Sequence, residues 1–463
     1  MQKERAAGAP ARLAAIVSVL VIIGATLWRA FGGPPGLFIV IIAAIAVLVV
    51  SQFRQIPANL RNTSLILLVI AVALLPLARS PLAALQRGVF ISGLLLGLMG
   101  SVMLLARCAL RNPSVHVIGQ ALRAQPGGRR YAAFTVAGQV FAAMLGMAGA
   151  NIMLIMAAPQ NEPAGERKTA AVVAVTRGFT AASYWSPMFG NMAILLALYP
   201  TLRWIEVFPI GVLMAQLTLP VGMLLHRLRQ RGAPPEPPGE AVPPGFARAA
   251  VPLALLMLAF LGLVLLTGSR AHISTTASIV LLGPCVALLL NIAMAERGRR
   301  VPDGVRRLVE DLRLYPNLAS EALLFLGAGC AGSILGDAFP ASWVARIGEA
   351  VHGMPLFGIA FLLAAVMGAA LTGIHPVLTA VFLASTITPQ VLDLPPMLHI
   401  LAILSGWGLS ASLTPYSVLS LTASRYAGTG LYQISLGRNA LFALFNAVCA
   451  CLLLTAVAMW MRM

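Results

Sequence analysis

Runs of about 20 apolar residues, the length that crosses a bilayer as a helix, fall near residues 13–30, 36–53, 62–79, 88–106, 208–226, 249–267, 275–294, 317–336 and 436–461. Four other apolar segments do not read as single clean helices. Residues 132–159 are too long and too interrupted, and charged loops flank them on both sides. A segment that enters and leaves on one side is a re-entrant hairpin, and residues 355–388 read the same way. Residues 169–201 and 398–424 cross the membrane but are broken around Trp185–Asn191 and at Pro415. Every backbone N–H and C=O in lipid needs a partner, so broken helix survives only inside protein or beside a polar cavity. The pattern predicts an all-α polytopic membrane protein with about eleven transmembrane helices plus two re-entrant hairpins in two inverted repeats. An N-terminal helix (1–35) precedes the first repeat (36–226). A linker (227–248) rich in Pro, Gly and Arg joins it to the second (249–463).

The broken segments carry matching signatures. Placing Pro187 on Pro415 also places Gly178 on Gly406, Phe179 on Trp407 and Ser186 on Thr414. Placing Gly149 on Gly373 puts Asn151 opposite His375. Paired interrupted segments in corresponding halves are the best sequence pointer to a transport site.

Composition and charge sharpen this picture. Of the 463 residues 59% are apolar and 10% charged, against about 25% charged in soluble domains. The net charge of +18 comes from arginines in short loops between apolar runs, a positive-inside pattern rather than a nucleic-acid surface. Loops 107–131, 227–248 and 296–314 are therefore expected in the cytoplasm, as is the N-terminus, with the C-terminus outside. The basic start resembles a signal peptide, but its apolar run continues to Trp28 and reads as a retained first helix. Lys3 and Lys168 are the only lysines, the codon bias of a GC-rich bacterial genome, which suggests a multi-pass protein of a bacterial inner membrane. The five cysteines show no metal spacing and read as packing residues.

In its order of helices, hairpins and breaks the chain resembles the ion transporter superfamily, in particular the divalent anion/sodium symporters of the solute carrier thirteen type. The resemblance covers nearly the whole chain. It implies a dimerising scaffold, so a homodimer, and a transport domain holding both hairpins and both broken helices, moved by an elevator mechanism. Those symporters carry Ser-Asn-Thr at each hairpin tip. Here the tips read Gly149-Ala150-Asn151 and Thr372-Gly373-Ile374-His375, and only Asn151 matches.

The candidate binding residues for substrate and ion are Asn151, Arg177, Ser186, Asn191, Thr372, His375, Ser410, Ser412 and Thr414. Helix N-termini at breaks suit anionic groups, and freed carbonyls and hydroxyls suit Na⁺. The same hydroxyls can equally satisfy backbone within a bundle. His375 is a candidate proton carrier or a neutral cap for the helix starting at Pro376. Arg177 offers a fork for a carboxylate or serves as a structural cation. His272, His352 and His399 read as interfacial. No Walker loop is present, and no catalytic residue, metal site or cofactor is expected. The reading is a secondary transporter coupled to H⁺ or Na⁺ that moves a small, carboxylate-type anion. The alternatives are an exporter of a drug-like or metalloid solute and a membrane-embedded glycan-polymerising enzyme. Asn151, His375, Pro187 and Pro415 are expected to surround one cavity, with Arg177 converging on the tips.

Overall fold

The structure is a computed structural model that describes residues 8–462 apart from 160–162, 164, 200, 232–244, 297 and 352. Most of the 227–248 linker and His352 thus lie outside the described residues. The helices are α1 (Ala9–Ala30), α2 (Leu37–Gln52), α3 (Ala58–Leu74), α4 (Pro81–Arg111), α5 (Pro113–Arg123), α6 (Gly127–Ala157), α7 (Glu166–Ala182), α8 (Gly190–Leu198) and α9 (Trp204–Arg229). After the linker come α10 (Phe246–Ala271), α11 (Thr275–Ala293), α12 (Arg300–Leu312), α13 (Ala319–Ala338), α14 (Ala341–Val351), α15 (Pro355–Leu371) and α16 (Pro376–Thr386). The chain closes with α17 (Pro396–Leu413), α18 (Val418–Ala427) and α19 (Arg438–Trp460). No strand occurs among the described residues.

Proline at the first helical turn starts α4, α5, α15, α16 and α17, where its missing N–H costs nothing. Side-chain caps from Asn112, Ser274 and Ser417 open α5, α11 and α18. Among the described residues eleven helices are long and apolar enough to span a membrane. Their number equals the expected one, but their membership differs. Gly128–Ala157 has the length of a span yet folds back on itself, as shown below. The crossing segment α7–α8 is divided at residues 183–189 into two helices too short to qualify.

The centre of the bundle is where α4 meets α13. The apolar windows of both are 83% buried. A Cβ on Gly88 would meet the backbone of Cys330 at 2.7 Å, so small residues let the two helices touch backbone to backbone. Ser92 Oγ donates to the Phe325 carbonyl across this seam at 2.9 Å. At the periphery, α3 and α10 bury only 17% of their windows and expose Val69, Val72, Leu255 and Leu258, as helices facing hydrocarbon do. Helix α12 differs from all of these. It bears Val301, Val305 and Val309 along one exposed stripe and arginines beside them.

Candidate functional site

Both hairpins turn on a glycine with positive φ. In α6 a single residue, Gly146 (φ +53°, ψ −133°), reverses the chain, a conformation that favours glycine. Gly149 on the returning leg then lies directly against the Phe141 carbonyl, eight residues back, which no continuous helix allows. The returning leg ends where it began, with the Met156 carbonyl accepting from Arg123 Nη1 at 3.2 Å. In the second hairpin α15 and α16 are joined by Thr372–His375, with Gly373 at φ +91°. His375 caps α16, its Nδ1 accepting from the Val377 N–H at 3.2 Å.

Each broken helix is fastened to the tip of its own hairpin by the same contact. Ser186 Oγ donates to the Ala143 carbonyl and accepts from the Met188 N–H at 3.1 Å. Thr414 Oγ1 donates to the Ala370 carbonyl at 3.0 Å and accepts from the Tyr416 N–H at 3.2 Å. Gly178 lies against the Thr135 carbonyl of its hairpin's first leg, and a Cβ on Gly406 would sit 2.6 Å from the Leu363 carbonyl of the other. These contacts match the pairing of Pro187 with Pro415 and Gly178 with Gly406. They correct the tip register. Ala143 and Ala370 each precede a positive-φ glycine by three residues, so Gly146, not Gly149, corresponds to Gly373. Asn151 then matches Leu378 rather than His375. Gly149-Ala150-Asn151 resembles a tip motif, but the backbone turns at Gly146, the glycine with a positive φ.

The two modules cross antiparallel. Thr180 Oγ1 donates to the Gly408 carbonyl at 3.0 Å and lies 3.2 Å from Ser412 Oγ. Asn439 Nδ2 donates to the Ser412 carbonyl at 3.3 Å and is within 3.5 Å of Thr176 Oγ1. Gly408 packs on Ser183. Ascending α7 from 176 to 183 therefore descends α17 from 412 to 408.

Most candidate hydroxyls and amides are occupied by protein. Ser410 Oγ donates to the Gly406 carbonyl at 2.5 Å and Ser412 Oγ to Leu409 at 3.2 Å. Asn191 closes the first break, with Nδ2 to the Ser183 carbonyl at 3.5 Å and Oδ1 accepting from the Met192 N–H at 2.9 Å. Thr372 is exposed and donates to the Ala369 carbonyl at 2.8 Å. Asn151 is the exception. Its Oδ1 is buried without a hydrogen-bond partner, which native proteins seldom tolerate.

Arg177 does not converge on the tips, contrary to expectation. It is 4% exposed and commits four of its five N–H groups to Asn439 Oδ1 (3.0 Å), Tyr131 Oη (2.7 Å) and the carbonyls of Gly222 (3.3 Å) and Arg438 (2.7 Å). Its guanidinium lies 4.7 Å from the centre of the Phe442 ring. It binds α7 to the start of α6, the end of α9 and the start of α19, a turn or more from either reversal. A crevice between α4, α6, α10 and α11 and a larger opening at Arg111 and Arg307 are lined by none of Asn151, His375, Pro187 and Pro415.

His399 corrects a further expectation. Far from interfacial, it is wholly buried, with Nε2 at 2.6 Å from the Ile387 carbonyl and Nδ1 at 2.8 Å from Tyr199 Oη. A carbonyl only accepts, so Nε2 holds the proton and the tyrosine donates to Nδ1. The residue fastens α17 to the far ends of α8 and the second hairpin. Asn439, Tyr131 and Glu166 also escaped the sequence reading. Arg438 and Asn439, a polar pair at the head of an apolar run, were the signal for the first of these.

No protein-family model and no curated protein matches this chain. Sixteen chains of solved structures do. Among them is the YdaH transporter of Alcanivorax borkumensis, whose structure was described as revealing an unusual topology. It aligns with a TM-score of 0.53 and 15% identity over 86% of this chain and 98% of that one. At such identity the likeness is one of fold, and with the long apolar helices, hairpins and breaks it makes this chain a multi-pass, all-α membrane protein with a membrane-transporter fold.

Proposed function

We propose that the chain is an ion-gradient-coupled secondary transporter of a bacterial inner membrane, related to the ion transporter superfamily. In this reading a homodimer moves a small, carboxylate-type anion by an elevator-like motion. The observation that carries the reading is the pair of hairpin–broken-helix modules. They are fastened by equivalent Ser186 and Thr414 contacts and cross antiparallel at Thr180, Gly408 and Ser412. Two such modules give one site equivalent approaches from opposite sides, as alternating access requires.

The solute meets the exposed surface formed by Thr372, Gly373 and Tyr416, where a Cβ on Gly373 would touch the Tyr416 ring at 3.8 Å. The amino ends of α16 and α18 begin beside this surface and supply partial positive charge to a carboxylate. Coupling uses H⁺ at His375 or Na⁺ at carbonyls freed by the breaks. The unpaired Asn151 Oδ1 is a further ligand for ion or solute.

Purified protein in proteoliposomes, offered a panel of carboxylates under an imposed pH or Na⁺ gradient, tests this. Accumulation driven by one gradient is expected. His375→Asn retains a capping side chain but cannot titrate, so it should abolish pH-driven and spare Na⁺-driven uptake. Failure of every carboxylate under both gradients overturns the reading. The exposed Ile374, Tyr416 and Val418 beside the same surface favour a second reading, export of an amphiphilic, drug-like solute. Uptake of such solutes by inverted vesicles distinguishes it.

A further inference from the structure

We infer that the protein holds an anionic phospholipid between the first hairpin and α10–α11, on the side of the basic loops. The inference is independent of what is transported. The crevice there is walled by Cys108 of α4, Met144 of α6, Met257 and Phe260 of α10, and Leu290 and Met294 of α11. Its volume is about 80 Å³, several times the ~10–15 Å³ that one water needs. Its lining is almost wholly apolar, so water has few partners in it and hydrocarbon is the fitting occupant. Met257 and Leu290 are half-buried, so the crevice opens along α10, whose outer face carries the exposed Leu255 and Leu258. A chain from the surrounding lipid reaches it without crossing water.

The mouth is what selects the head group. Met294 also lines a second opening, shared with Arg111, Pro113 and Arg307. Arg111 pairs with the buried Asp311 through two contacts of 2.6 Å and reaches Asn291 Oδ1 at 3.1 Å. Arg107 Nε lies 3.5 Å from the same carboxylate. Arg307 spends Nη1 on the Met294 carbonyl at 3.3 Å. Arg111 and Arg307 line the mouth with Arg107 behind them, against Asp311, while Glu310 is paired with Arg306; a net +2 remains, and the Asp311 pair holds the planar guanidinium of Arg111 in place. The apolar slot admits a segment of one acyl chain, and the cationic rim beside it suits a phosphate on the same molecule, where α12 exposes Val301, Val305 and Val309.

The test uses delipidated, full-length protein in detergent and native mass spectrometry with dioleoyl phosphatidylglycerol. Phosphatidylcholine with the same tails and inorganic phosphate are the comparators. Phosphatidylglycerol should bind at least about tenfold tighter than phosphatidylcholine, and phosphate alone should not compete. Arg307→Gln should lose about tenfold, the worth of one charge-assisted hydrogen bond, and Arg307→Lys should recover most of it. Ala109→Trp, which fills the crevice, should abolish retention of both lipids while the unfolding midpoint without lipid stays near wild type. If that variant fails to fold, Met257→Trp fills the slot from the opposite wall. Equal binding of the two lipids, competition by phosphate, or full retention by a folded tryptophan variant overturns the proposal.

Discussion

Arg177 and His375 are the two ionisable residues that the sequence marks out within apolar segments, and the structure uses them differently. Arg177 spends its fork on protein acceptors. Arg177→Gln leaves Tyr131, Asn439 and two carbonyls short of a donor, and should cost about 3 kcal/mol or more, because one side of a buried charged network has been removed. Thermal unfolding in detergent measures this. Arg177→Lys should recover little, since a point charge cannot reproduce four directed bonds. Wild-type stability in both variants would mean that Arg177 is held for a ligand rather than for the fold. At His375 the structural role is a cap. His375→Ala should lose about 1 kcal/mol and His375→Asn, an effective cap, much less. A proton-carrying role would show in transport and not in these stabilities.

Glycines at two kinds of contact set the geometry of the elements. Gly146 holds a positive φ with open space around it, whereas Gly149 has an ordinary φ and the Phe141 carbonyl in its way. Gly146→Ala should therefore cost about 1–2 kcal/mol in backbone strain. Gly149→Ala must part the two legs of α6, and should cost more and raise proteolysis near the tip. Equal, small effects would contradict the reversal at Gly146. A different contact ties α7 to α19, where Arg438 meets Glu166 through two bonds of 2.5 Å. The hydrogen bond from Arg438 holds the Glu166 carboxyl below its ordinary value of 4.5. The pair thus stabilises above that value, and its contribution disappears as pH falls through the lowered folded value. Glu166 is half-exposed, so the effect is small, about 0–1 kcal/mol. The stability gap between wild type and Glu166→Gln should close on acidification and narrow with salt.

At the scale of the molecule, sidedness follows from the basic loops and the parity of the crossings. Reporter fusions at Arg231 and after Met463 should lie in opposite compartments. The same compartment for both would sink the inverted arrangement, whatever the contacts between modules. The elevator-like motion is the larger prediction. Both modules, with α9 and α19 bound to them through Arg177, should move as one body against the α4–α13 centre. Cysteine pairs placed within the modules should crosslink without loss of transport. Pairs bridging a hairpin and α4 should arrest it.

The sequence alone determined the class of fold, the order of spans, hairpins and breaks, and the correspondence of Gly178 with Gly406 and Ser186 with Thr414. Those features are local. Apolar length sets a span, proline and glycine set a break, and a hydroxyl beside a proline marks a backbone that needs a partner. Tertiary structure decided what spacing does not encode. It chose Gly146 over Gly149 as the turn, because only a backbone angle separates them. It made Arg177 a clasp by bringing residues as distant as Tyr131, Gly222 and Asn439 to its fork. It sank His399, placed by sequence at a helix end, against Tyr199 and Ile387. A buried polar group takes its role from the partners that reach it, and those partners come from segments that apolar patterning leaves unordered relative to one another.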